Sequence, residues 1–179
     1  ILLANLTVLI RLAVISAAIS PQVLPMLLPV LGSGLIFGLT VTIFWWRDFT
    51  QQEELPIPET KNPTEFSTAA GFGVLYALVL FMSTWLSDVA GSSGLYMVAI
   101  ISGLTDVDAI TLSSLRLLEL GKLQISEAVT AITLAIISNI VFKLGLIFII
   151  GSSLLNKRTA FGMIMTAIGL TGALFMLVH

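Results

Sequence analysis

The sequence contains no cysteine among its 179 residues, and its single histidine is the last residue, His179. Without cysteine the chain has no disulfide, no thiolate metal ligand and no thiol nucleophile. A zinc or iron centre normally takes several histidine or cysteine ligands, so that class of site is excluded. Nucleotide-binding loops, serine elbows and zincin motifs are missing as well. We therefore expect neither a resident cofactor nor an enzymatic activity.

Charge is equally scarce, since only 10% of the residues are charged and the formal net charge is -2. Soluble domains carry about 25% charged residues. The chain also lacks a basic stripe, which excludes nucleic acid as a partner. In place of charge it has apolar sequence, with 57% hydrophobic residues and a mean hydropathy of +1.07. These values indicate an integral membrane protein whose main partner is the lipid bilayer.

Six apolar runs divide the chain, and each is roughly 18 to 26 residues long, enough to cross the ~30 Å hydrocarbon core as a helix. Lipid offers the backbone no hydrogen bonds, and the apolar–polar alternation of a membrane barrel is absent. We therefore predict an all-α, polytopic transmembrane helical bundle of about six helices. The runs cover approximately 1–19, 23–46, 67–86, 95–118, 125–150 and 159–178.

A polar, proline-broken connector separates the second run from the third. We predict one transmembrane domain over 1–179, made of 1–47 with helices 1 and 2, the connector at 48–66, and 67–179 with helices 3 to 6. Trp45, Trp46 and Arg47, just before the connector, are typical of a membrane–water boundary. Because apolar sequence starts directly at Ile1, we expect this chain to be a fragment that lacks an upstream membrane domain.

Basic residues are distributed unevenly over the two faces that six crossings define. The more basic face takes Arg47, Lys61, Arg116 and Lys122, and the other face takes Lys157 and Arg158. The positive-inside rule places the more basic face in the cytoplasm. We therefore expect a protein of the inner membrane of a prokaryote, with the 48–66 connector and both chain ends in the cytoplasm.

The fourth run carries the most informative polar residues. Asp106 and Asp108 fall near its midpoint, where a charged residue costs about 2.5–3.5 kcal/mol on insertion scales. Residues two apart in an α-helix point about 200° away from each other, so an intact helix cannot direct both acids to one site. A break at Ser102-Gly103 would allow a shared site, with Thr105 or Asp106 as the N-cap of a second half-helix.

Three arrangements can satisfy these acids. They can form an ion or proton site to which Thr105, Thr111 and Asn139 add neutral polar groups. In such a site Asp106 and Asp108 would be the ligands of a cation such as Mg²⁺. Alternatively, Thr105 or Asp106 caps a kinked helix and the other carboxylate pairs with a buried arginine or lysine. In the third arrangement the helix sits higher in the membrane and the acids reach the headgroups.

Two basic residues inside apolar runs are the candidate charge partners. Arg11 lies near the middle of the first run, and we expect it to pair with an acid on another helix. Lys143 shares a helix face with Asn139 and either snorkels to the boundary or pairs with Asp106 or Asp108. A direct contact between an acid and a base would favour the structural hypothesis, whereas water or an ion beside the acids would favour transport.

Small residues recur at four-residue spacing in three of the runs. This pattern lets helices approach closely, either inside the bundle or between copies in a homo-oligomer. The positions are Gly34 and Gly38, then Ala69, Gly73 and Ala77, and finally Gly169 and Ala173.

The stretch from Gly94 to Ser114, together with Lys61-Asn62-Pro63 and the spacing from Asn139 to Lys143, resembles the signature of an uncharacterised membrane domain. That domain-of-unknown-function family occurs C-terminal to MgtC/SapB-type membrane domains in bacterial and archaeal proteins. The resemblance implies a component of magnesium transport or homeostasis, with an MgtC/SapB-type domain upstream in the same polypeptide. It equally implies an alternative, because members of the MgtC group are associated with regulating other membrane machinery: a non-transporting regulatory or assembly module.

A third hypothesis is an intramembrane aspartyl protease with Asp88 and Asp106 as its two acids. Such enzymes are similar to this chain only in having aspartates within helices. The stretch before Asp106 lacks the second glycine of that group, and we expect no protease.

Overall fold

The computed structural model describes residues 2–44, 66–150 and 153–178. Its helices are α1 (Leu2–Ile19), α2 (Leu24–Phe44), α3 (Phe66–Thr105), α4 (Val107–Glu119), α5 (Ile125–Ile150) and α6 (Ser153–Val178), with a 3-10 turn at Pro21–Val23. These described ranges contain no strand, and the all-α prediction is confirmed. Trp45, Trp46, Arg47 and the connector up to residue 65 lie outside the described residues.

Several of these helices have the length and apolarity of membrane spans. Within the described ranges, four segments are long and apolar enough to cross a membrane: Leu2–Ile19, Pro21–Phe44, Ile125–Ile147 and Thr159–Leu177. Tyr76–Leu86 is a shorter apolar segment inside α3. The segments agree with the prediction of a helical membrane protein.

The helix α3 is divided at Gly91, whose φ of 62° and ψ of -149° lie in a region that favours glycine. A Cβ built on Gly94 would collide with the backbone carbonyl of Leu86. Residues eight apart in a straight helix are separated by about 12 Å, so the chain must fold back at Gly91. We call residues 66–90 α3a and residues 92–105 α3b.

The chain folds back a second time at Asp106, so that α3b and α4 form a helical hairpin with Asp106 at its tip. Asp106 is extended, with φ -147° and ψ 123°. Lys122, just after α4, lies 3.5 Å from the carboxylate of Asp88 at the end of α3a. The hairpin therefore enters and leaves at one end of the bundle, which we call the base. The opposite end is called the far end.

The helices α1 and α5 fix the depth of the hairpin tip. α1 ends at the base, where the Ser20 hydroxyl donates a 2.6 Å hydrogen bond to Glu119 at the end of α4. Arg11, halfway along α1, contacts Asp108 next to the tip. α5 starts at the base, and Asn139 near its middle contacts the end of α3b. The tip thus lies at mid-depth.

The fourth predicted run is therefore a re-entrant hairpin and not a crossing. α4 has 13 residues and measures about 20 Å, short of the ~30 Å needed to span the hydrocarbon core. Because the hairpin returns to the base, Leu2 and Val178 lie at opposite ends of the bundle. Six crossings would bring both chain ends to one face. The side of the membrane that each end faces stays a prediction.

A tight turn at the base joins α4 to α5. Gly121 takes a left-handed φ of 69°, and its N–H donates to the carbonyl of Leu118 at 2.9 Å, which closes the end of α4 as a glycine C-cap does. The Glu127 carboxylate accepts the backbone N–H of Gln124 at 2.8 Å and closes the start of α5. These local bonds position α4 and α5 as antiparallel neighbours.

Small residues of α2 and α6 are used for packing inside the chain. A Cβ on Gly34 or on Gly38 would collide with side chains of α6. The Ser33 hydroxyl donates a 2.8 Å hydrogen bond across this contact to the carbonyl of Gly169. Gly73 of α3a, by contrast, has no atom of the chain within 4 Å of an added Cβ among the described residues. The spacing on α2 therefore serves the bundle itself.

Candidate functional site

The hairpin tip is built by Asp106, which ends α3b and caps α4. Its N–H still donates to the Ser102 carbonyl at 2.8 Å as the last helical bond of α3b. Its side-chain Oδ1 accepts the N–H of Asp108 at 2.8 Å, the bond expected of an N-cap aspartate. Ser102 and Gly103, predicted as the break, lie in the last helical turn, so the break falls a few residues later than predicted. Asp106 is one of the two N-cap residues considered from the sequence.

Gly103 serves close packing between helices. A Cβ at this position would collide with the backbone of Ala135 in α5. The break deprives the Gly103 carbonyl of the N–H that it would meet in a continuous helix. Asn139 replaces this bond, since its Nδ2 donates to the Gly103 carbonyl at 3.0 Å. Ser138 adds a 2.6 Å hydrogen bond to the carbonyl of Ile100. α5 therefore holds the end of α3b at mid-depth.

Arg11 and Asp108 form a direct ion pair beside the tip. One guanidinium nitrogen of Arg11 lies 2.7 Å from Oδ2 and 2.8 Å from Oδ1 of Asp108. The Asp108 side chain is 17% exposed, whereas the Arg11 side chain is 53% exposed. An arginine on α1 thus neutralises an acid in the first turn of α4 while part of its guanidinium faces out of the bundle.

Lys143, the second candidate charge partner, contacts Asn5 and makes no ion pair within the described residues. Its Nζ donates a 2.7 Å hydrogen bond to the Asn5 Oδ1. The polar group at the tip therefore consists of Asp106, Asp108 and Arg11, and Lys143 bonds to Asn5 on α1.

The threonines predicted for the site make no hydrogen bond to the carboxylates among the described residues. The Thr105 hydroxyl donates to the carbonyl of Ser102 in its own helix at 3.0 Å. Thr111 is fully buried, and its hydroxyl has no hydrogen-bond partner among the described residues; the same is true of Ser16 on α1 and Ser114 on α4. Buried hydroxyls normally find partners. These three mark α1 and α4 as carrying unpaired polar groups between the tip and the base.

The two acids differ in what remains open to a ligand. Asp108 is engaged by Arg11, whereas Asp106 is half-buried and uses one oxygen as a cap. No group of three or more histidine, cysteine, aspartate or glutamate side chains in the described part of the chain is placed to hold a metal ion. The role of Asp106 and Asp108 as cation ligands stays a prediction.

Several residues that shape the site gave little signal in the sequence. Asn5, the partner of Lys143, interrupts an apolar run and could have been proposed on that ground. Ser138 and Ala135 could have been found only from the spacing that places them with Asn139 on one side of α5. The contact of Ser20 with Glu119 depends on the parallel arrangement of α1 and α4, which no local pattern predicts.

Apolar spans and a re-entrant hairpin with an ion pair beside its tip define a class of protein: a polytopic helical membrane protein with an irregular, polar segment inside the bundle. The chain belongs to the family described as Domain of unknown function (DUF4010), whose model matches residues 1–151.

One curated relative is an uncharacterised protein from Aquifex aeolicus (strain VF5), which is 36% identical over 116 residues. The match covers 65% of this chain and 50% of the relative, so the chain spans about half the length of the protein it matches. No solved structure matches the chain.

Proposed function

We propose that this protein transports an ion across the membrane, and that the hairpin tip is its intramembrane site. The observation that carries the proposal is the position of Asp106 and Asp108 on a re-entrant hairpin at mid-depth. Non-helical backbone at membrane depth is tolerated where it lines a cavity or is buried in protein, and transporters place such segments at their substrate sites.

The ion pair suggests how the site would work. Asp108 is neutralised by Arg11 when no ion is bound, so an arriving proton or cation competes with the guanidinium for the carboxylate. Asp106 supplies a second carboxylate, with one oxygen outside the cap bond. The unpaired hydroxyls of Ser16, Thr111 and Ser114 give an ion polar groups on the side of the base.

The two carboxylates at the tip limit which ions the site can bind. Two carboxylates suit a proton, and they also suit Mg²⁺, which commonly keeps several waters and uses only one or two protein carboxylates. Magnesium homeostasis, an MgtC/SapB-type domain upstream in the polypeptide and an inner-membrane location remain predictions of the family resemblance. A proton is the ion that the described side chains can accept without further ligands.

Reconstitution into vesicles loaded with a pH-sensitive or a Mg²⁺-sensitive dye tests the proposal. The wild-type chain should respond to an imposed gradient of one of the two ions, and Asp106→Asn and Asp108→Asn should each abolish the response. Asp88→Asn is the matched control, because Asp88 lies at the base with its carboxylate in water-accessible contact with Lys122. Wild-type flux in both tip variants would overturn the proposal.

A second function is favoured by the direct contact between Arg11 and Asp108, which is the arrangement expected of a structural ion pair. In a regulatory or assembly module this pair would hold α1 to α4 and carry no ion. Combining Arg11→Asp with Asp108→Arg exchanges the two charges between α1 and α4, so an ion pair can still form. A double variant that is as stable as the wild type but transports nothing, together with a wild type that transports nothing, would establish this alternative.

A further inference from the structure

We infer that two copies of this chain associate through the outer face of α1 and α4, so that Arg11 of each copy meets Asp108 of the other. The inference starts from the 53% exposure of the Arg11 side chain halfway along a membrane-spanning helix. Charged side chains at that depth are rare and face the protein interior or a water-filled cavity. Within the described residues much of this side chain stays uncovered at that depth, and a second polar surface would cover it.

The surroundings of Arg11 form a face on which a second helix bundle can pack closely. On α1, the exposed residues that flank Arg11 along the same side are Ala4, Thr7, Val14 and Ala18, of which three are small. Small residues allow transmembrane helices to approach closely. α4 is buried on nearly every side, and its only incompletely buried positions form one stripe: Asp108, Leu112, Arg116 and Glu119. The two helices thus present one continuous, partly polar face.

Charge complementarity identifies the occupant as a second copy. Arg11 and Asp108 lie side by side at one depth, on neighbouring helices that both run toward the base. A two-fold axis along the membrane normal keeps every residue of the second copy at the same depth as in the first. Across the interface, it places the left side of one copy opposite the right side of the other. It therefore sets Arg11 of one copy opposite the partner's Asp108, and Asp108 opposite the partner's Arg11. The result is a ring of four alternating charges with no net charge.

This inference is independent of ion transport, because it depends only on the exposure and the arrangement of one surface. The small-residue contacts of α2 and α6 do not compete with it, since Gly34, Gly38 and Gly169 already pack inside the chain. It also gives the exposed side of the tip an enclosure that a single copy lacks.

Cysteine cross-linking tests the dimer directly, because the chain has no cysteine of its own. Thr7→Cys and Val14→Cys each place one thiol beside Arg11, at the same depth in both copies. A bismaleimide reagent in native membranes should convert these variants into covalent dimers, because the ring places each α1 opposite the partner's α4 and diagonal to the partner's α1. Ile36→Cys on α2 is the control and should stay monomeric, although Ile36 is 66% exposed. Equal cross-linking of all three variants, or no cross-linking of the α1 variants, would overturn the inference.

A charge-reversal experiment then tests the ring itself. Arg11→Asp alone collects four acids at the interface and Asp108→Arg alone collects four bases, so neither variant should form homodimers. When the two variants are co-expressed with different affinity tags, the ring alternates again and mixed dimers should be recovered. If the two charge-reversed variants never associate with each other but the Val14→Cys variant cross-links, the interface exists without the ring of charges. An α1 cysteine that cross-links only to a different protein would show that the face binds another partner.

Discussion

The side-chain amide of Asn139 donates a 3.0 Å hydrogen bond to the carbonyl of Gly103, the group that the break at Asp106 deprives of its helical partner. One full-length helix thereby completes the hydrogen bonding of another that stops at mid-depth. The bond is placed by the contact of Gly103 with the backbone of Ala135, one helical turn before Asn139 on α5. Packing and polar satisfaction are thus achieved by the same pair of helices.

The substitution Asn139→Ala should destabilise the protein by about 1–3 kcal/mol, because it leaves the Gly103 carbonyl unpaired away from water. Thr171→Ala is the matched control, since the exposed Thr171 hydroxyl bonds only within its own helix, and a change within about 0.5 kcal/mol is expected there. Unfolding in mixed micelles with increasing denaturing detergent measures both. A loss that is no larger for Asn139→Ala than for the control would contradict the bond's role.

The substitution Gly103→Ala should cost about 1–3 kcal/mol, because the added methyl group must separate α3b from Ala135. Gly172→Ala tests the general effect of removing a helical glycine, as a Cβ there has nothing within 4 Å among the described residues. That variant should be neutral or more stable by up to about 1 kcal/mol. Thermal unfolding in detergent compares the two. Gly103→Ala should lower the stability and Gly172→Ala should leave it unchanged or raise it. A stabilised Gly103→Ala variant would refute the close contact.

Asp106 should tolerate asparagine and not alanine. The asparagine side chain keeps an oxygen that can accept the Asp108 N–H, whereas alanine removes the cap at a cost of about 0.5–2 kcal/mol. Unfolding midpoints of Asp106→Asn and Asp106→Ala separate the capping role from the charge. If Asp106→Asn is as unstable as Asp106→Ala, the carboxylate has a structural role beyond the cap, and a loss of flux in that variant would carry less weight.

The two ends of the chain should be accessible from opposite sides of the membrane. Leu2 and Val178 lie at opposite ends of the bundle, and Lys122 lies at the base, the same end as Val178. Epitope tags at both ends and a single cysteine at Lys122→Cys can be probed with impermeant reagents in sealed vesicles. The C-terminal tag and the cysteine should react together, and the N-terminal tag should react only after permeabilisation or in inverted vesicles. Reaction of both tags from one side would restore six crossings.

Local sequence was sufficient to locate the helices and to identify their polar residues. Apolar length predicts α1, α2, α5 and α6 because lipid leaves the backbone no alternative to the helix. The conflict between the directions of Asp106 and Asp108 predicts a break close to its observed place. In both cases the sequence pattern and the structure that it predicts lie within a few residues of each other.

The local sequence patterns do not predict that the chain folds back at Gly91. A glycine at position 91 is compatible with a helix, a kink or a reversal, and tertiary packing decides between them. Gly103 was interpreted as a breaking residue because glycine serves both flexibility and close approach. For Lys143 the sequence offers the membrane boundary or an acid, whereas the position of Asn5 opposite it is a tertiary fact.

The ion pair between Arg11 and Asp108 joins residues 97 positions apart in the chain, and this separation has a consequence for biosynthesis. Arg11 emerges from the ribosome with α1, long before α4 exists, and Asn139 emerges only after the hairpin that it stabilises. α1 must therefore wait in the membrane, or at its surface, with an uncompensated cation until residue 108 has been made. Chains truncated before α4 should consequently be poorly retained in the bilayer and rapidly degraded. The hairpin is thus the point of synthesis at which the cation of α1 gains its counter-charge.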